Sequence, residues 1–312
     1  MKLKKSLKAL NIFPFVTRTA KALCFQRRTL MKATTITACS KGNTGTTHQS
    51  HLLGAIIGDV VGSRFESLET GQKSTEFELV TPECQFTDDT VLTIAVADAI
   101  INKKDYSSTI RKWAKKYPNA GYGKSFIRWM NDPTMAPYNS WGNGSAMRVS
   151  PCGYLPTTSL EEVLREAKAS AECTHNHEEG IKGAQATAAC IFLARNNRSK
   201  NEIKEYVTSK FGYDLDRDIE SIRPTYTFDV SCQGSVPESI IAFLKSVDYE
   251  STIRLAVSLG GDTDTQAAIA GCIAQAFYGE IDAKLESLVR TKLDSDILEI
   301  VDSFNDSIVK TS

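Results

Sequence analysis

Chemistry is suggested first where paired carboxylates stand directly before apolar runs of helical period. Thr87-Asp88-Asp89-Thr90 precedes a run that opens at Val91, and Gly260-Gly261-Asp262-Thr263-Asp264-Thr265 precedes one that opens at Ala267. Each places two carboxylates and a Thr hydroxyl at a helix start. Donors that are all oxygen suit a hard cation such as Mg²⁺. Four carboxylates brought together repel one another unless cations neutralise them. Two ions would do so and would also polarise oxygens of a bound substrate. Capping competes with this reading, because Asp and Thr are preferred N-caps and the helix dipole favours acids there. A cap needs one side chain, so the second acid of each pair is left to explain. Spacing alone leaves both readings open.

Three further segments carry candidate residues. Gly54, Gly58 and Gly62 recur every four residues and so line one helix face, which lets another helix approach closely. Asp59 and Glu66 in the same stretch have no such packing role. Glu66 precedes the polar run Ser67 to Ser74, where a carboxylate could act as base or gate; Glu69 is its neighbour. The run Ser140 to Arg148 contains Gly142, Asn143, Gly144 and Ser145, whose backbone N–H groups before a short helix could cradle a diphosphate. An ordinary Asn-Gly turn is the alternative. Gly-Lys-Ser at 123–125 ends like a P-loop, but residue 118, where that motif needs its leading glycine, is Pro118, so a nucleoside-triphosphate site is rejected. His175 and His177 stand two apart before a long helical run, which reads as capping and surface rather than a metal pair. The segment Tyr226 to Pro237 is aromatic and irregular, either a pocket wall or a loop.

The elements that must position these residues read as helices. Val91, Leu92, Ala95, Val96, Ala99 and Ile100 recur at helical spacing, as do Ile181, Ala184, Ala188, Ile191 and Phe192. Ala267, Ala268, Gly271, Ala274 and Tyr278 form a third face, and Leu285 to Val301 predicts one or two closing helices. Strand signals are scarce. The expectation is an all-α, single compact multi-helix domain over residues 51–312, without internal repeat.

Residues 1–50 differ. They contain ten Lys or Arg and no acid, and read as a basic extension, either disordered or a targeting segment. The remainder holds 27 basic and 37 acidic residues, a net charge of −10. An acidic body argues against nucleic-acid binding. No apolar run reaches membrane-spanning length, so no membrane partner is expected. The eight cysteines include no C-x-x-C pair, which excludes zinc-site spacing and suits reduced thiols. A cytoplasmic monomer is expected, or an organelle protein if residues 1–50 act as a transit peptide.

Five segments together resemble the ADP-ribosylglycohydrolase family: GAIIGDVVGSRFE at 54–66, FTDDT at 86–90, WGNGSAMRVSPCG at 141–153, THNHEEGIKGA at 174–184 and GGDTDTQAAIAG at 260–271. They occur in the family's order and span most of the chain. The resemblance implies an all-α fold and two Mg²⁺ ions, or Mn²⁺, held by Thr87, Asp88, Asp89, Asp262, Asp264 and Thr265. It implies Glu66 as gating or catalytic glutamate, the turn from Gly142 to Ser145 as the phosphate contact, and His175 as a substrate-side residue. The reaction implied is release of ADP-ribose from a modified protein side chain or small-molecule conjugate, with arginine placed ahead of serine as the linkage. Either Asp89 or Glu66 would activate the water. A non-catalytic ADP-ribose-binding relative and a metal-dependent ADP-ribose phosphoesterase are the alternatives.

Overall fold

Helices supply nearly all the regular structure of the described residues, 50–66 and 71–309 of a computed structural model. In chain order they are α1 (Leu53–Gly62), α2 (Asp88–Ile101), α3 (Tyr106–Lys116), α4 (Lys124–Asn131), the short α5 (Gly144–Met147) and α6 (Ser150–Gly153), α7 (Leu160–Glu172), α8 (Glu178–Arg195), α9 (Lys200–Phe211), α10 (Ile219–Ile222), α11 (Cys232–Lys245), α12 (Tyr249–Val257), α13 (Thr263–Tyr278), α14 (Ala283–Arg290) and α15 (Ser295–Val309). Among the described residues there is no strand, only an isolated antiparallel bridge between Gly142 and Ser231. The fold is all-α, as expected. The predicted runs become α2, α8 and α13, and the closing run divides into α14 and α15. None of the described helices is long and apolar enough to cross a membrane. The basic extension, with its targeting reading, lies outside the described residues except for Ser50, as does Glu69.

The centre of the molecule is α13, in which every residue from Thr263 to Gln275 is buried. α1, α8, α11 and α12 pack around it. A helix enclosed on all sides has no polar stripe, so its sequence mark is small residues. The glycine face of α1 lies directly on it. A Cβ added to Gly58 would fall 2.1 Å from the Ala267 carbonyl oxygen, one on Gly54 2.6 Å from that of Gly271, and one on Gly62 2.4 Å from that of Thr263. The two backbones therefore touch, and the Thr263 hydroxyl donates to the Gly62 carbonyl at 2.9 Å. This close approach sets the end of α1, with Glu66 beyond it, beside the start of α13.

One expectation needs correcting. Only the first half of Tyr226 to Pro237 is irregular. Ser231 accepts from Gly234 N at 3.0 Å and caps α11, which then runs through Pro237. Proline lacks the N–H for an i→i−4 bond, but six residues into the helix it forfeits only the bond to Gln233, and the helix continues.

Candidate active site

The start of α2 is capped from another helix. Asp59 on α1 is completely buried and accepts from Thr87 N (2.9 Å), Thr90 N (3.1 Å), the Thr87 hydroxyl (2.8 Å) and the Thr90 hydroxyl. The Thr87 Oγ1 in turn accepts from Asp89 N at 3.3 Å. Capping is thus done by Asp59 and Thr87, and neither Asp88 nor Asp89 is used for it. Both line a cavity of about 530 Å³. Thr87 borders an adjoining cavity of about 430 Å³, which shares Glu66 and Gly121 with the first.

The start of α13 faces the same cavity. Gly260 and Gly261 have φ of 68° and 105°, the left-handed region that favours glycine, and turn the chain sharply before Asp262. Lys73 holds this turn by donating to the carbonyls of Tyr226 (2.7 Å) and Leu259. Asp262 Oδ2 accepts from Asn143 Nδ2 at 2.6 Å, and Asp264 Oδ1 accepts from Thr265 N at 2.8 Å. The Thr265 hydroxyl donates to Asp89 Oδ2 at 3.2 Å, joining segments 176 residues apart. Glu66 stands at the exposed mouth, and one oxygen each from Glu66, Asp262 and Asp264 can lie within 4.8 Å of one another.

Crowding shows in the acidities. Burial, and next the charge of Asp264, push Asp88, Asp89 and Asp262 well above the usual carboxylate range. The same two causes raise Glu66 to about 8 and Asp59 to about 7, the latter against the hydrogen bonds from Thr87 and Thr90. In addition, Asp89 Oδ1 is buried without a protein partner. An orphaned carboxylate oxygen amid mutually repelling acids is what a hard divalent cation would satisfy. The donor set therefore fits such an ion.

The opposite end of the cavity is built from the 140s turn. Gly142 N donates to Ser140 Oγ (3.1 Å) and Asn143 N to the Val230 carbonyl (2.8 Å), so these two groups are occupied within the protein. Gly144 and Ser145 begin the four-residue α5, and of the two only Gly144 lines the cavity. The Ser145 hydroxyl is fully buried and donates to the Gly180 carbonyl at 2.6 Å, away from the cavity. Asn143 reaches both ends, tying the turn to Asp262. His175 is 5% exposed and lines the cavity, whereas His177 caps α8 by accepting from Glu179 N at 3.1 Å. The surface reading thus fits His177 and fails for His175, which α8 and the turn enclose.

Several lining residues carry no sequence signal strong enough to pick them out. Gly121, Gly123, Lys124 and Ser125, rejected as a P-loop, still wall the cavity where α4 begins. Phe228 and Val230 come from the irregular segment before α11, which settles its wall-or-loop alternative in favour of a wall. Asp59 was visible only as an unexplained acid on a glycine-lined helix.

Fold and site define an all-helical protein with a cavity that is acidic and fit for a cation at one end and bounded by the turn at Gly142, Asn143 and Gly144 at the other. The family model for ADP-ribosylglycohydrolases matches residues 49–311, and the chain belongs to that family. It is 29% identical to the human ADP-ribosylhydrolase ARH3, over 73% of this chain and 84% of that one. It is 27% identical to the ADP-ribosylarginine hydrolase Tri1 of Pseudomonas putida, over 73% of this chain and 69% of that one. A solved structure described as an ADP-ribosylglycohydrolase-related protein complex superposes with a TM-score of 0.65 at 22% identity, over 83% of this chain and 96% of that one, and shares the fold.

Proposed function

We propose that the protein hydrolyses the bond between the anomeric carbon of ADP-ribose and a modified side chain, with two Mg²⁺ ions as cofactor. The observation that carries this reading is the meeting of the α2 and α13 acidic starts in one cavity. The family and the printed activities of the relatives support it. Asp88, Asp89, Asp262, Asp264 and Thr265 would hold the ions, with Thr87 contributing its remaining lone pair. When bound, they neutralise the carboxylates and polarise hydroxyl oxygens of the distal ribose.

The chain's own groups then divide the work. The turn at Gly144 and the start of α4 offer backbone N–H donors to the diphosphate. Glu66 at the mouth takes a proton from the attacking water, while Asp89 stays fixed by Thr265 as a ligand. Water oxygen bonds to the anomeric carbon, the bond to the side chain breaks, and the proton passes to the departing group. The adjoining cavity on the other side of Glu66 receives that group. We place arginine first as the linkage, because Tri1 carries that activity in its name. The test is product analysis with arginine- and serine-linked ADP-ribosyl peptides, with Mg²⁺ or chelator. Intact ADP-ribose released from the arginine peptide only with Mg²⁺ is expected. Release from the serine peptide alone overturns the linkage, AMP as product points to a phosphoesterase, and binding without turnover points to a non-catalytic relative.

A further inference from the structure

Arg148 follows α5 and is completely buried, yet no carboxylate pairs with it among the described residues. Its Nη2 donates to the Ser170 carbonyl at 2.9 Å and to Thr174 Oγ1 at 2.8 Å. Thr174, also completely buried, has its Oγ1 2.7 Å from His175 Nδ1. His175 Nε2 lies on the far side of the ring, against the turn. A Cβ on Gly144 would sit 3.1 Å from it and one on Gly142 3.6 Å.

The direction of this chain of hydrogen bonds follows from its first member. A guanidinium only donates. The Thr174 oxygen therefore accepts from Arg148, and its single proton remains to be given away. Of the two acceptors in reach, the Cys173 sulfur and His175 Nδ1 at 2.7 Å, the nitrogen is the stronger and takes the proton, so it presents its lone pair. With the opposite tautomer the hydroxyl would accept twice and could give its proton only to the Cys173 sulfur, a much weaker acceptor than an imidazole nitrogen. A neutral imidazole with a bare Nδ1 carries its proton on Nε2. Burial, and next the Arg148 charge, hold the His175 pKa well below its ordinary value, in keeping with a neutral ring.

We propose that Arg148 is a positioning residue which, through Thr174, fixes His175 as a neutral Nε2–H donor aimed at the end of the cavity that holds the 140s turn. The donor stands against Gly144, which lines the cavity, and so favours an oxyanion there. Arg148 serves the same end by charge. Its Nε and Nη1 are buried without partners, and it lines the cavity. An unpaired buried cation is costly unless an anion comes near, and a diphosphate in the cavity supplies one. That the anion is the diphosphate of ADP-ribose rests on the function proposed above; the tautomer does not.

The experiment is long-range ¹H–¹⁵N correlation NMR on the ligand-free full chain with ¹⁵N-histidine, with His175 assigned by its loss in His175→Asn. The expected result at pH 7 is a protonated Nε2 and a bare Nδ1. Thr174→Ser keeps this pattern, and Thr174→Val abolishes the preference. A protonated Nδ1 in the wild type overturns the proposal, as does an unchanged pattern in Thr174→Val. Circular dichroism establishes that each variant is folded, and the wild-type spectrum decides the tautomer even if Thr174→Val is not. Calorimetric titration with ADP-ribose gives the second readout. Affinity should fall about tenfold in Thr174→Val, as for one lost hydrogen bond to a charged group, and stay within about twofold in Thr174→Ser. Equal affinity in the two variants overturns the positioning role. If ADP-ribose does not bind the wild type while the Nε2–H tautomer is found, the proposed function fails and the relay stands.

Discussion

Stripping the protein of divalent cations should reverse the usual pH dependence of its stability near neutrality. Asp59 is the clearest contributor because it is completely buried, and its pKa rises from 3.8 to about 7. An acid whose folded pKa lies above its unfolded one favours the protonated fold. Its extra stability is fully present below the unfolded value and is lost as pH rises through the folded value. At 1.36 kcal/mol per pH unit, Asp59 alone corresponds to on the order of 4 kcal/mol over its whole range, of which about 3 kcal/mol falls above pH 5. Asp88, Asp89 and Asp262 shift in the same direction. Glu66 adds less than its rise to about 8 suggests, since it is exposed and solvent screens it. Ordinary carboxylates are already ionised at pH 5, so the range from pH 5 to 8.5 isolates the raised ones. For a domain of this size each kcal/mol moves Tm by roughly 2–4 °C, so the metal-free protein should melt about 10 °C lower at pH 8 than at pH 5. Mg²⁺ at a hundred times its Kd adds about 2.7 kcal/mol per site and should act mainly at the higher pH. The assay is scanning calorimetry of chelator-treated protein at both pH values, with and without added Mg²⁺. Metal-free stability that rises from pH 5 to 8, or a Mg²⁺ effect no larger at pH 8 than at pH 5, would refute the reasoning.

Other outcomes follow from single contacts. Gly58→Ala should destabilise by about 3 kcal/mol or more in urea unfolding, because its Cβ would meet the Ala267 carbonyl oxygen, a backbone atom that cannot swing away; a loss below about 1 kcal/mol would mean that α1 and α13 part easily. Asp88→Ala and Asp264→Ala should abolish Mg²⁺-dependent release of ADP-ribose while the helical circular dichroism spectrum is kept; full activity in either would remove that residue from the site. Ser145→Ala should cost about 1 kcal/mol of stability for the lost bond to Gly180 and leave ADP-ribose affinity unchanged; a loss of affinity would show that its hydroxyl turns to the ligand.

Much of the fold was legible because helical period and small-residue spacing are local. The glycine face of α1 was readable as a place of close approach, but its partner was not, because α13 is enclosed on every side and has no polar face to orient it. The acids at 88, 89, 262 and 264 could be picked out since each pair exceeds what one cap needs. That Asp59 does the capping of α2 was hidden, because the donors at Thr87 and Thr90 lie about 30 residues away in sequence and meet it only once α1 and α2 pack. Spacing alone gave His175 as surface for a similar reason, whereas the family resemblance had it on the substrate side. Its burial comes from Gly142 and Gly144, which a distant turn brings against the ring, and from Gly180, five residues on, against its Cβ. Gly121 to Ser125 failed the P-loop test for the right chemical reason, and no local pattern says that the same residues wall a different cavity.

The central claim is that the starts of α2 and α13 share divalent ions. Crystals soaked in Mn²⁺ and measured at the manganese absorption edge test it most directly. Two anomalous peaks, each touched by carboxylates from both helix starts and both absent in Asp264→Ala, are predicted. Peaks confined to surface acids, or ions held by one helix start alone, would contradict it.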